Sequence, residues 1–188
     1  MLFVGVYLVV LLAAYPLGKY IAKAMQDEKH LAIERGLYRL MGVNPGQGMN
    51  WKTYSLNFLL SNLILAAMAY VLFLFQGVLP LNPDGIAGMR WDLALHTAAS
   101  FITNTNQQHY SGQNGLSYLS QMMGIVSLQF ITPAMGLALL FAILRLFKGG
   151  QGEDIEGLKN LGNYHVDVTR AIVRILLPLC FLFAIFLV

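Results

Sequence analysis

Hydrophobic positions fall in four long runs that carry little or no charge. The first covers Met1–Gly18, and the second covers Thr53–Leu79 or so, TYSLNFLLSNLILAAMAYVLFLFQGVL. The third covers Gly115–Leu144. The fourth starts near Ala171 or a little earlier, carries Arg174 close to its start, and reaches Val188. A helix crosses the hydrocarbon core of a bilayer in about 20 residues, so each run predicts a spanning helix. The third would be about 45 Å long at 1.5 Å per residue. Pro133, in FITPAMG, predicts a kink inside it.

Between the second and third runs the pattern changes. In LPLNPDG, Pro80, Pro83 and Gly85 break any helix. Trp91–Ile102 then reads as a short helix of about 18 Å, with Asp92 in its first turn, where the helix dipole favours an acid. Such a helix is too short to cross. It predicts a re-entrant segment that dips into the bilayer and returns as a loop over Thr103–Gly112. The loop opens with Thr103, Asn104, Thr105 and Asn106 and contains no Asp or Glu.

Composition agrees with a chain bathed in lipid. It is 57% hydrophobic and 11% charged, where soluble domains carry roughly 25% charged residues. The expected fold is an all-α membrane protein of transmembrane helices with a re-entrant pore helix and filter loop. Its parts are a first helix (1–22), a connection (23–52), a helix–pore–helix repeat (53–145), a linker (146–165) and a helix beginning a second repeat (166–188).

The net charge of +3 is explained by placement. Lys19, Lys23, Lys29, Arg35, Arg39 and Lys52 follow the first run. Arg145, Lys148, Lys159, Arg170 and Arg174 follow the third. Only Arg90 lies between the second and third. The positive-inside rule makes the eleven-residue side cytoplasmic and puts the N-terminus and the loop outside. Lipid is then the partner and nucleic acid is not. No cleavable signal peptide is apparent. The single cysteine, Cys180, excludes an internal disulfide and reads as apolar filler. His96 and His109 read as hydrogen-bonding and exposed loop histidines, not metal ligands. Asn57 and Asn62 read as amides that bond neighbouring helices. Gly149–Gly152, GGQG, lacks the lysine and hydroxyl of a phosphate loop, so no ATPase site is expected.

The short helix points its partly negative C-terminus at the loop. Neutral carbonyl and hydroxyl oxygens suit a monovalent cation that must shed its water and still leave. Asn104 and Asn106 alternate with threonine, and asparagine tolerates left-handed backbone angles. The residues alone leave two readings open: a pore loop, or a polar outer turn that follows a short helix.

A resemblance separates them. WDLALHTAASFITNTNQQHYSGQNGLSYLSQM (Trp91–Met122), MNWKTY (Met49–Tyr54), LPLNP (Leu79–Pro83) and PLG (Pro16–Gly18) resemble, in order, the potassium-binding A subunit of the Kdp potassium-transporting P-type ATPase. The resemblance implies one extra helix followed by four pore repeats around a single filter. It makes Thr103, Asn104, Thr105 and Asn106 the first repeat's potassium filter, with Trp91, Asp92, Tyr110 and Gly112 as its support. The Asn104 and Asn106 amides are expected to hydrogen-bond behind the filter and Thr105 to pack tightly. Potassium is the transported ligand and no cofactor is implied. The implied partners are a P-type ATPase catalytic subunit, a C subunit and a small single-span subunit, in a prokaryotic cell membrane. Gln107 and Gln113 depart from the family pattern, which has a tryptophan and an acid there. The chain holds the extra helix, one repeat and the start of a second, and is expected to be a truncation. Two alternative functions are a passive monovalent-cation channel subunit and a non-conducting structural or assembly subunit.

Overall fold

The computed structural model describes residues 2–149 and 160–187, and among these every regular element is helical. Helix α1 is Leu2–Gln26, α2 is Ala32–Met41, α3 is Trp51–Phe75, α4 is Trp91–Ile102, and α5 is the single turn Gly112–Gly115. A π-helical segment, Ser120–Val126, runs into α6, Ser127–Gly149. Helix α7, Tyr164–Arg170, continues through a second π-helical segment, Ala171–Leu176, into α8, Leu177–Leu187.

Four helical stretches are long and apolar enough to cross a membrane: Phe3–Gln26, Trp51–Phe75, Ser120–Lys148 and Tyr164–Leu187. Some boundaries lie further out than the apolar runs and others, such as the end of α3 at Phe75 and the third start at Ser120, lie inside them. Helix α1 passes through Pro16 and Lys19 and ends at Gln26, beyond residue 22, because long basic side chains reach past an apolar boundary without breaking the helix. The 23–52 connection contains α2. The third stretch starts at Ser120 and passes unbroken through Pro133. The fourth starts at Tyr164, where the Asn163 side chain accepts hydrogen bonds from the His165 and Val166 amides. Most of the 146–165 linker, including Gly150–Gly152 of GGQG, lies outside the described residues, as do Lys159 and Val188.

Packing is built on small residues, which let backbones approach closely. Ala69, Ala94 and Ala98 pack with Phe73, Phe101, Leu116, Ile125 and Leu128, joining α3, α4 and the start of the third stretch. A β-carbon on Gly124 would stand 2.7 Å from the Phe73 ring, so only glycine allows this approach. Ala138, Ala142 and Met135 of α6 pack on Tyr54 and Tyr164, and Ala134 packs with Ala24, Met25 and Ala171.

Among the described residues, buried charges are held either by an opposite charge or by backbone carbonyls. Arg145 binds Asp167 through two nitrogens at 2.5 and 2.8 Å, and the Tyr54 hydroxyl donates to the same carboxylate at 3.0 Å. Arg174 grips Glu34 at 2.5 and 2.7 Å and Asp27 at 2.8 Å. Arg170 donates to the carbonyls of Met25, at 3.0 Å, and Asp27, capping the end of α1.

Candidate functional site

Helix α4 occupies Trp91–Ile102, the bounds expected from the sequence, and the chain then folds back over its C-terminus. Thr103 has φ −85° and ψ 2°. Asn104 and Asn106 follow with φ of 58° and 55°. These left-handed angles strain most residues and suit asparagine. Alternating handedness turns successive N–H groups to one side of the chain and carbonyls to the other.

The N–H groups all turn back to the helix. Thr103 N–H donates to the Ala99 carbonyl at 3.1 Å and Asn104 N–H to Phe101 at 3.2 Å. The amides of Thr105 and Asn106 share the Ser100 carbonyl at 2.9 and 3.1 Å. The Gln107 amide donates to Ser100 Oγ at 2.6 Å, while that hydroxyl donates to the Gln107 carbonyl at 2.9 Å. Among the described residues, the carbonyls of Thr103, Thr105 and Asn106 accept no hydrogen bond. They are uncharged oxygens close in sequence to the partly negative end of α4.

Side chains behave differently from expectation. The Asn106 amide donates to Asn104 Oδ1 at 3.3 Å, so the two asparagines bond each other rather than groups behind the loop. Thr105 is exposed instead of tightly packed. Its hydroxyl meets Thr103 Oγ1 at 2.9 Å, and Thr103 Oγ1 donates to the Ala99 carbonyl at 2.8 Å. The backbone, tied down by its own amides, sets the loop's shape.

Ser100, buried inside α4, is the residue that sequence reasoning missed. Its carbonyl and hydroxyl together hold three successive loop amides. Its signal was faint: one hydroxyl a turn before the loop, on a face it shares with Thr97.

Gln76 was missed as well. It sits just past α3 and is wholly buried. Its amide donates to the carbonyls of Ala87 and Gly115, both at 2.9 Å, and its oxygen accepts from the Ser117 amide at 3.1 Å. One side chain thus staples the approach to α4 to the segment returning from the loop. A lone amide ending the apolar run LFLFQ was the available signal.

The expected supporting residues lie apart. Trp91 is exposed, and Asp92 pairs with Arg90 at the N-terminus of α4, the end away from the loop. The Arg90 guanidinium holds the Asp92 carboxyl below the usual carboxylate range. Both residues reach the loop only through the helix. Tyr110 packs on the α3–α4 core and against Gly115. Gly112 opens α5, and its carbonyl accepts from Gln121 at 3.2 Å. Gln107 is anchored by its backbone, and Gln113 is exposed. His96 and His109 meet edge to face with ring centres 4.5 Å apart, and His96 Nδ1 is buried without the hydrogen bond expected for it. Asn57 meets His165 across helices at 3.0 Å, whereas Asn62 donates to its own helix, at Phe58. Among the described residues no cluster of three metal-ligating side chains occurs.

A long apolar helix, a short helix with its loop folded onto the C-terminus, and a second long apolar helix make one unit of an integral membrane protein. The chain belongs to the potassium-transporting ATPase A subunit family, whose model matches residues 4–188. It is similar to the potassium-transporting ATPase potassium-binding subunit of Alicyclobacillus acidocaldarius, with 46% identity across 97% of this chain and 33% of the relative. It is similar also to that subunit of Pseudomonas putida, with 42% identity across 100% of this chain and 33% of the relative. The Gloeobacter violaceus subunit shares 45% identity across 96% and 31%. The chain spans about a third of the length of these relatives.

Proposed function

We propose that this chain supplies one quarter of a potassium filter in an ATP-driven potassium importer of a prokaryotic cell membrane. The observation that carries the reading is the loop from Thr103 to Asn106, with its amides tied to α4 and the carbonyls of Thr103, Thr105 and Asn106 unpaired. Potassium entering such a loop exchanges hydration oxygens for carbonyl oxygens. The α4 dipole adds negative potential without a carboxylate that would trap divalent ions. In this reading α4 is re-entrant, because non-helical backbone at membrane depth persists only where it is buried in protein or lines a water-filled path. Tyr110, packed on the α3–α4 core, and Gly112, bonded to Gln121, steady the return of the loop, while Trp91 and Asp92 act only through the start of α4.

The distribution of basic residues supports an orientation with the N-terminus and the loop outside. A cysteine at Gln108 then labels from outside with an impermeant thiol reagent, and a cysteine at Gln47 does not. The reverse pattern refutes the orientation. The chain hydrolyses no ATP. A catalytic pump subunit, a C subunit and a small single-span subunit would complete the importer. Potassium-stimulated ATPase activity in membranes holding the complete importer separates this reading from a passive channel and from a non-conducting assembly subunit.

The filter test is Asn106→Leu in the complete importer, read as potassium-dependent uptake with sodium and rubidium as competitors. The substitution keeps the backbone carbonyl but loses the bond to Asn104 and puts a γ-branched side chain at a left-handed position. Discrimination against sodium falls more than total transport. Full discrimination in this variant would remove Thr103–Asn106 from the filter.

A further inference from the structure

Helix α2 presents three faces, and only one is buried in the bundle. Glu34, held by Arg174 and by the Leu31 amide at 2.9 Å, and Tyr38, buried beside His30, form that face. At about 100° per residue, Ile33, Leu37 and Leu40 gather on a second face. They are exposed at 64%, 38% and 84%. Arg35 and Arg39 gather on a third, also exposed, with no carboxylate within 4.0 Å among the described residues.

A helix in water would turn its apolar stripe to the core. Here the side toward the core is taken by a carboxylate and a phenol, so the stripe faces away from the bundle. It continues onto neighbouring apolar surface. Leu37 and Met41 border a groove of about 380 Å³ with Ile64 and Leu65 of α3. Leu60, Leu63 and Ile64 are exposed along that membrane-length helix. A lipid surface supplies both complements at once, acyl chains for the stripe and phosphates for the arginines.

We propose that α2 lies in the surface of the bilayer, with Arg35 and Arg39 on the phosphates of anionic lipids and Ile33, Leu37 and Leu40 among the acyl chains. The proposal rests on the four long helices crossing a membrane and is independent of potassium binding. Glu34 and Arg174 fix the roll of the helix, so neither outer face can turn inward.

The test uses the full chain in lipid nanodiscs, with Cys180→Ser and a fluorophore on Leu40→Cys. Doxyl-labelled phosphatidylglycerol and doxyl-labelled phosphatidylcholine are compared as quenchers. The expected result is quenching by both, clearly stronger for the anionic lipid and weakened by salt. Each arginine near an anionic surface raises lipid binding about fivefold. R35Q/R39Q should therefore lower the anionic preference about thirtyfold, and R35K/R39K should retain it. Should the double glutamine variant fail to fold, the comparison of the two lipids on the unaltered arginines decides the matter. Equal quenching by the two lipids overturns the proposal, as does an unquenched, water-exposed probe. So does a disulfide between two copies of the unlabelled Leu40→Cys protein under mild oxidation, which would make the occupant a second chain.

Discussion

The loop after α4 and the clamp around Arg174 both bring polar groups into an apolar molecule, by opposite means. The loop uses only neutral groups, satisfies its amides on one helix end, and leaves carbonyls unpaired. The clamp uses full charges and leaves none alone: Arg174 holds Glu34, Asp27 and the Lys29 carbonyl. Under the proposed function an ion enters and leaves the first, and weak, replaceable oxygens would allow that. Nothing needs to move in the second, where buried charge survives only if it is fully paired. On that proposal the contrast is between a site built for exchange and one built to hold.

The largest effect should come from breaking the clamp. Arg174→Ala strands the carboxylate of Glu34 in a wholly buried position, and losing one partner of a buried pair costs about 3–5 kcal/mol. Thermal unfolding in detergent should report it, together with faster hydrogen exchange across α2. A variant with unchanged melting would show that the clamp is ornamental.

The next effect is at Gln76. Gln76→Leu leaves the Ser117 amide and two carbonyls without side-chain partners, at about 1–3 kcal/mol if water reaches all but one of them. Hydrogen exchange should rise on both sides of the loop while α2 stays protected. Ser100→Ala is smaller. It removes one hydroxyl that makes two bonds to Gln107, worth about 1–2 kcal/mol. In the complete importer it should lower discrimination against sodium without lowering the protein's abundance. Equal loss of potassium and sodium transport would show that Ser100 holds the fold and not the loop.

Acid should separate the two regions. Burial alone would push the Glu34 carboxyl up, but the hydrogen bonds from Arg174 and the Leu31 amide win and hold it below its ordinary value. The Lys29 amide and Arg174 likewise hold Asp27 below the usual range. Groups with lowered folded values stabilise fully above their ordinary pKa, and that contribution fades as pH falls through the lowered value. Protection of α2 against exchange should therefore decline below about pH 4. The loop after α4, with no carboxylate, should keep its protection over the same range. The smallest effect belongs to Arg90→Gln, which breaks an exposed pair with Asp92 and should leave melting unchanged.

Much of this layout was legible from local pattern. The four long helices follow from apolar runs, and α4 begins and ends where expected because turn residues precede it and a polar tetrad follows. The left-handed angles at Asn104 and Asn106 match the one residue type, glycine aside, that readily adopts them. The roles of the asparagine amides and of Thr105 were misjudged, because which way a loop side chain points depends on bonds the backbone has already made. Arg170 and Arg174 read only as cytoplasmic charge. Their partners, Met25, Asp27 and Glu34, lie 140 or more residues away along the chain.

What this sequence determined by itself is whatever depends on neighbours within a few turns: helix periodicity, the absence of charge in the loop, the handedness its asparagines permit, and the side on which basic residues collect. Tertiary structure alone decided which polar side chains become anchors. Ser100 and Gln76 resemble any other serine or glutamine in an apolar stretch until folding brings unpaired backbone groups within 3 Å or so of them. Burial then gives each hydrogen bond its weight, because an unpaired group has no water to turn to.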